Sequence, residues 1–333
     1  MKNWNRNFIY LVLLSLSLIV LINYLVNPFN VFDHKVLIYD GQPNERFTKI
    51  NYLIKNNKKY TSYILGSSRS GILNPIVFNT NREDKYYNLS VSSCTVYDIH
   101  KMVEYIVKNF DVKSLIIQID PDIIFHNFKH SETDFLRLHH PFVTDESILN
   151  FKSKYLLAFY PKSVKDKILT NYYHNGSTRF NINNGTWSLT EPRSYNSPQT
   201  VKSNQIRNIH RKENLKALKS LISDMRETKI NYKIIIPPLN HVSLTQLDLK
   251  SYQEFIQDLS QITPFINFCF YNSFTLDDSN YYDLTHYKDY FGIQLEKFIS
   301  QGNSDNELCK YVDSNNSLSH LSFLEFNFNE YRK

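Results

Sequence analysis

The chain has 333 residues and a formal net charge of +6, carried in short runs such as KNNKK, KSVKDK and HRKENLKALK that all have polar or acidic neighbours. Charge spread in this way describes a solvated surface and argues against the concentrated basic stripe of a nucleic-acid-binding face. Cys94, Cys269 and Cys309 have no CxxC spacing; two of them are free to pair outside the cytosol, although Cys94 and Cys269 sit in apolar contexts that suit buried thiols.

The first predicted element is FIYLVLLSLSLIVLINYLV, uncharged from Phe8 to Val26. At about 1.5 Å per residue it is long enough to cross a hydrocarbon core. Asn27, Pro28 and Phe29 follow in place of a small-x-small cleavage site, so residues 1–27 read as a cytoplasmic tip and an uncleaved signal anchor. Lys2 and Arg6 precede the span and no further Lys or Arg occurs until Lys35. By the positive-inside rule the N-terminus is cytoplasmic, the chain crosses the cytoplasmic membrane once, and the remainder faces outward.

Residues 28–56 read as a connecting segment ending in a helix near 47–56. From there to residue 301 short apolar runs alternate with amphipathic stretches. SYIL (62–65), YYNL (86–89), SLIIQI (114–119), YKIIIP (232–237) and INFCF (266–270) have the apolar continuity of buried strands. Helical spacing marks 97–110, where Ile99, Met102, Val103, Ile106, Val107 and Phe110 recur on one face, and marks 203–229 and 247–262 as well. Strand and helix in alternation imply a parallel sheet covered on both faces, a three-layer α/β sandwich of about five strands. The stretch from about 125 to 200 interrupts the alternation. It is too long for a structureless loop and reads as an inserted cap, partly helical over 145–171. Residues 302–333 read as a C-terminal appendage.

Only seven glycines occur in the chain, yet two of them flank the serines of GSSRSG at 66–71. Ligands of open α/β sheets bind beyond the carboxyl ends of the strands, and Gly66 leaves the first predicted strand at that edge. Ser67 or Ser68 there suits a helix cap or a nucleophile. A neutral serine needs a base, and the base needs a third group to fix its tautomer. YYDLTHYKDYFG supplies both in Asp283 and His286, three residues apart at the predicted start of the last helix. Read alone, that pair also suits a cap and a surface histidine. Arg69 suits either a structural ion pair or a contact to an anionic or sugar substrate. His126, His130, His139 and His140 lack the spacing of a metal site, and no cofactor motif is present.

Taken in order, the apolar strand and GSSRS, then YNLSVSS, then SLIIQID, and finally DLTH resemble the SGNH (GDSL-like) hydrolase superfamily, most nearly its membrane-anchored extracytoplasmic branch of DltD-like and alginate O-acetylation-type proteins. The resemblance covers about residues 55–130 and 225–300. It implies a flavodoxin-like sheet, Ser68 as nucleophile, and Asp283 and His286 as its partners. It also implies an oxyanion site around Asn88, Ser90 and Ser93, with backbone N–H groups as donors. Two features depart from the family pattern. Serines stand where the family has glycines, at some conformational cost where φ is positive. The third block, which should offer an Asn donor, reads Gln118-Ile119-Asp120; an ionised Asp cannot donate and repels an oxyanion, and Gln118 lies deep in the strand.

The expected activity is that of a membrane-anchored serine esterase or O-acyltransferase acting on an envelope or secreted polysaccharide, with a membrane acyl-donor protein as a potential partner. The alternative is a catalytically silent binding or assembly component of the same fold.

Overall fold

A computed structural model of the chain describes residues 2–33, 43–79, 85–173, 178–189, 204–301 and 306–332. The chain divides into two compact units, one of residues 1–55 and 130–179 and the other of residues 56–129 and 180–333. In chain order the longer elements are helices α1 (Lys2–Val26) and α2 (Glu45–Lys55), strands β1 (Ser62–Leu65) and β2 (Tyr86–Asn88), helix α3 (Val96–Asn109), strand β3 (Ser114–Gln118), helices α4 (Ile148–Leu157) and α5 (Pro161–Tyr173), strands β4 (Thr178–Asn181) and β5 (Thr186–Leu189), helix α6 (Asn204–Glu227), strand β6 (Asn231–Ile236), helices α7 (His241–Gln246) and α8 (Leu249–Ile262), strand β7 (Phe265–Asn267), helix α9 (Tyr290–Gln301), strand β8 (Lys310–Val312) and helix α10 (Ser317–Tyr331).

In the first unit α1 contains a stretch, Trp4–Val26, long and apolar enough to cross a membrane. Its neighbours α4 and α5 fall within the expected helical part of the 125–200 segment. Phe29, Val31, Phe32, Phe47, Phe151 and Tyr155 form a buried, mostly aromatic core there, against which Phe135 and Tyr160 pack, so Phe135, Phe151, Tyr155 and Tyr160 of the segment serve packing. The segment is shared between the two units: residues 130–179 belong to the first, and residues 125–129 and the β4–β5 hairpin from Phe180 onward belong to the second. Residues 174–177 and 190–203 of that region, like 34–42 and 302–305 elsewhere, lie outside the described residues.

The second unit is built on a mixed sheet in the order β2-β1-β3-β6-β7-β8. The five expected strands are present and mutually parallel, but the count is six. The addition is β8, antiparallel to β7 with Ile266 opposite Tyr311. Register places Ile64 beside Ile116 and Ile235 beside Ile266. These four share one face and pack with Leu73, Phe78, Tyr281, Tyr287, Phe291 and Leu295. Strand side chains alternate, so Tyr63, Leu65, Leu115, Ile117, Ile234 and Ile236, all buried, point to the other face. Helices α3, α6, α8 and α10 pack side by side in that order, an arrangement compatible with a three-layer sandwich.

Helix α3 begins one residue before its predicted span because Thr95 and Asp98 form a reciprocal capping box that satisfies two otherwise orphaned N–H groups. The C-terminal helix is fastened by polar contacts. Asn327 of α10 accepts from the Tyr271 N–H and donates to the Tyr271 carbonyl, both at 2.9 Å, and His320 meets the Asn267 amide beside the end of β7 at 2.9 Å. Asn327→Ala leaves two buried backbone groups without partners and is expected to cost about 2 kcal/mol, measured as a lowered midpoint of chemical denaturation.

All three cysteine thiols are free and buried. Burial pushes the Cys269 thiol up to about 12, which keeps it protonated and unreactive at neutral pH.

Candidate active site

Strand β1 ends at Leu65 and the chain turns at Gly66, whose φ is +147°. A Cβ there would collide with the Ser70 hydroxyl and lie 2.9 Å from both the Cβ and the carbonyl oxygen of Gln118 on the neighbouring strand. Glycine is therefore required twice over, by conformation and by space. The turn separates the three serines. Ser67 is buried and its hydroxyl accepts from the Arg69 N–H at 3.2 Å. Ser70 is buried and donates to the Ser67 carbonyl at 3.0 Å. Ser68 is half-buried, and among the described residues its N–H has no partner within the protein.

The Ser68 hydroxyl lies 2.9 Å from Nε2 of His286, 218 residues away in sequence. On the far side of that ring, Nδ1 lies 2.8 Å from Oδ2 and 2.9 Å from Oδ1 of Asp283. Asp283 Oδ1 also accepts from the N–H groups of Thr285 and His286, each at 2.8 Å, and from the Thr285 hydroxyl at 3.0 Å. Burial works against the Asp283 charge, but the His286 ring and these N–H donors outweigh it and hold the carboxyl well below the usual carboxylate range. An ionised Asp283 fixes the ring with its proton on Nδ1, which leaves Nε2 as the acceptor facing Ser68.

The Asp283–His286 pair was expected to open the last helix. It lies instead in a loop closed by a bridge between Tyr281 and Tyr287, ahead of α9, and α10 is the last helix. The Asp283 carboxylate therefore caps its own loop, which organises the Asp283–His286 pair without help from a helix terminus.

Arg69 is turned inward. Its Nη1 lies 2.8 Å from Asp120 Oδ2, both side chains being mostly buried, and its Nε donates to the Thr285 carbonyl at 3.1 Å. Gln118 donates to the other Asp120 oxygen at 3.3 Å and accepts from the Tyr287 hydroxyl at 2.6 Å. A chain of hydrogen bonds and one ion pair thus joins the end of β3 to the serine turn and to the histidine loop at Thr285 and Tyr287. The sequence reading did not single out Thr285 or Tyr287; flanking a recognised Asp-x-x-His is the one signal they carried. Of the two readings open for Arg69, the ion pair is the one formed, and the position expected to supply a neutral Asn donor holds a compensated carboxylate.

Arg69→Met strands Asp120 and is expected to lower stability by about 3 kcal/mol. Arg69→Met combined with Asp120→Asn removes the stranded charge and should recover more than half of that loss, read by chemical denaturation of the three proteins.

The second block is also organised differently from the expectation. Asn88 is fully buried. It donates to the Ser70 and Leu73 carbonyls at 2.7 and 2.9 Å and accepts from the Ser90 N–H at 3.0 Å. Both Asn88 and the Ser90 N–H are therefore committed to shaping the serine turn, and neither is open to an oxyanion. Ser93 adopts φ +48°, the left-handed region that glycine occupies at less cost. The loop that carries it runs beside the serine turn, with the Val91 N–H donating to the Gly66 carbonyl at 2.9 Å.

Among the described residues no group of three or more His, Cys, Asp or Glu side chains is placed to hold a metal ion. His126 pairs with Asp122 at 2.9 Å. His139 and His140 are buried in the other unit.

No protein-family model matches the chain, and no curated protein matches it.

Proposed function

We propose that this protein is a serine ester hydrolase or O-acyltransferase of the SGNH type, tethered by α1 to the cytoplasmic membrane with its N-terminus inside and the α/β unit outside. The observation that carries the proposal is the unbroken line from the Ser68 hydroxyl through both nitrogens of His286 to the Asp283 carboxylate, at 2.9 and 2.8 Å. Capping and packing do not require three residues so distant in sequence to meet in that order.

In the proposed reaction Ser68 Oγ attacks an acyl carbonyl while His286 Nε2 takes the hydroxyl proton. The Ser68 N–H, which has no partner within the protein among the described residues, serves the developing oxyanion. His286 then returns the proton to the departing alcohol oxygen as the tetrahedral adduct collapses, leaving the acyl group on Ser68. Water or an acceptor hydroxyl, deprotonated by His286, then attacks the acyl carbonyl, the bond to Ser68 Oγ breaks, and His286 returns the proton to that oxygen. The proposed substrate is an acylated envelope or secreted polysaccharide, by analogy with the family the motifs resemble.

The test is labelling of the full chain in detergent with a fluorophosphonate, followed by peptide mapping. Modification of Ser68 is the expected result; an intact, folded protein that takes no label would leave the second reading, a silent binding or assembly component. One observation favours that second reading: Asp120, held by Arg69, stands where the family places its side-chain oxyanion donor. A missing donor of this kind lowers turnover by about 10²- to 10³-fold, so slow labelling remains compatible with an enzyme.

A further inference from the structure

Beside the C-terminal end of α1 an almost wholly apolar groove of about 360 Å³ opens between that helix and α5. Ile19 and Ile22 of α1 form one wall, and Val164, Ile168 and Leu169 of α5 form the other, with Phe159 from the α4–α5 turn at the rim. Two observations fix its depth. The apolar stretch of α1 runs for 23 residues, about 34 Å of helix against a hydrocarbon core of about 30 Å. Ile22 and Ile19 therefore lie about 6 and 10 Å below the end of the span. Independently, Asn23 is buried, and its amide donates to the carbonyls of Leu156 and Ala158, both at 2.8 Å. Those carbonyls end α4 and have no partner within their own helix. A residue in the last turn of the span thus satisfies the backbone of the α4–α5 turn, which ties that turn to the membrane boundary.

The surface of this helix pair suits that position. Leu149 is 82% exposed, Phe159 77% and Leu157 62%, large apolar side chains that water disfavours and the boundary of a bilayer accepts. Lys162 and Lys165 have no ion-pair partner among the described residues, and Lys165 sits at the groove itself. Lysine stems reach along apolar surface and carry their charge to headgroup level.

We infer that α4 and α5 lie in the membrane interface and that the groove between α1 and α5 holds one acyl chain of an anionic phospholipid, whose phosphate meets Lys165 and Lys162. The groove is walled by the spanning helix, so its occupant comes from the bilayer. The inference rests on α1 crossing the membrane and is independent of the reaction proposed for Ser68.

The test uses the full chain in nanodiscs of phosphatidylglycerol and phosphatidylcholine, with a photoactivatable diazirine in the acyl chain of one lipid at a time and crosslinks mapped by mass spectrometry. The phosphatidylglycerol probe should label both α1 and the groove face of α5, with α5 labelled several-fold less by the phosphatidylcholine probe. Val164→Trp, which fills the groove, should remove the α5 crosslinks and keep those on α1. Lys162→Glu with Lys165→Glu should abolish the preference for the anionic probe. Label confined to α1 would overturn the groove assignment while leaving the span intact; no label on α1 would overturn both. Crosslinks joining α5 to a second copy of the chain, in place of lipid, would identify the groove as a protein interface and overturn the lipid assignment.

Discussion

Ser68→Ala is expected to abolish fluorophosphonate labelling and to lower ester turnover by about 10⁴-fold or more, while Ser67→Ala and Ser70→Ala retain the label. The three hydroxyls differ in what they face. Those of Ser67 and Ser70 serve the turn itself, whereas that of Ser68 meets a histidine nitrogen. His286→Ala should cost about as much as Ser68→Ala, and the double variant little more, because nucleophile and base act as a unit. The thermal midpoint of Ser68→Ala should stay close to that of the parent, since a half-exposed hydroxyl contributes little to folding. Retained labelling in Ser68→Ala, or losses from the two single variants that multiply in the double, would remove the proposed mechanism.

Asp283→Asn should lower turnover by about 10³- to 10⁴-fold with the fold preserved. An amide in place of the carboxylate can present an N–H to His286 Nδ1. The ring proton then moves to Nε2, and the nitrogen facing Ser68 becomes a donor unable to take the hydroxyl proton. The same variant carries a stability signature on the acid side. Asp283 has a depressed pKa in the folded protein, so its stabilising contribution is complete above the unfolded carboxylate value, near 4, and is lost as pH falls through the lower folded value. The stability difference between parent and Asp283→Asn should therefore be largest at neutral pH and shrink below about pH 4. Denaturation midpoints at a series of pH values would show it; a difference that grows toward acid would contradict the ionised, hydrogen-bonded carboxylate.

The parallel strands were legible in the sequence because each has a stretch buried on both faces that reads as an apolar run. β1 is the clearest case, buried at all four positions. The α1 span was legible from its length and lack of charge, and Gly66 from the scarcity of glycine elsewhere. β8 was not legible: KYV is three residues long, half-exposed at two of them and at the sheet edge, too short for any periodicity to register. The sequence marks 302–333 only as an appendage; α10 packs on the α/β unit through buried Leu324 and Phe328 and through Asn327 and His320, polar residues that pattern reading assigns to solvent.

For the site, the sequence by itself determined the residue types. GSSRS after a strand and DLTH ahead of a helix supply the serine, the histidine and the carboxylate that the proposed mechanism uses, and the parallel order of strands puts their loops at one edge of the sheet. The residues alone left Ser67 and Ser68 open and the resemblance pointed to Ser68; only the tertiary structure placed the Ser68 hydroxyl against the histidine, turned Asn88 to the turn instead of an oxyanion, and paired Asp120 with Arg69. Those outcomes depend on distances between β1, β3 and the 281–287 loop, segments up to 218 residues apart. Hydrogen bonds form over about 3 Å, and at that scale chain folding, not residue spacing, selects the partners.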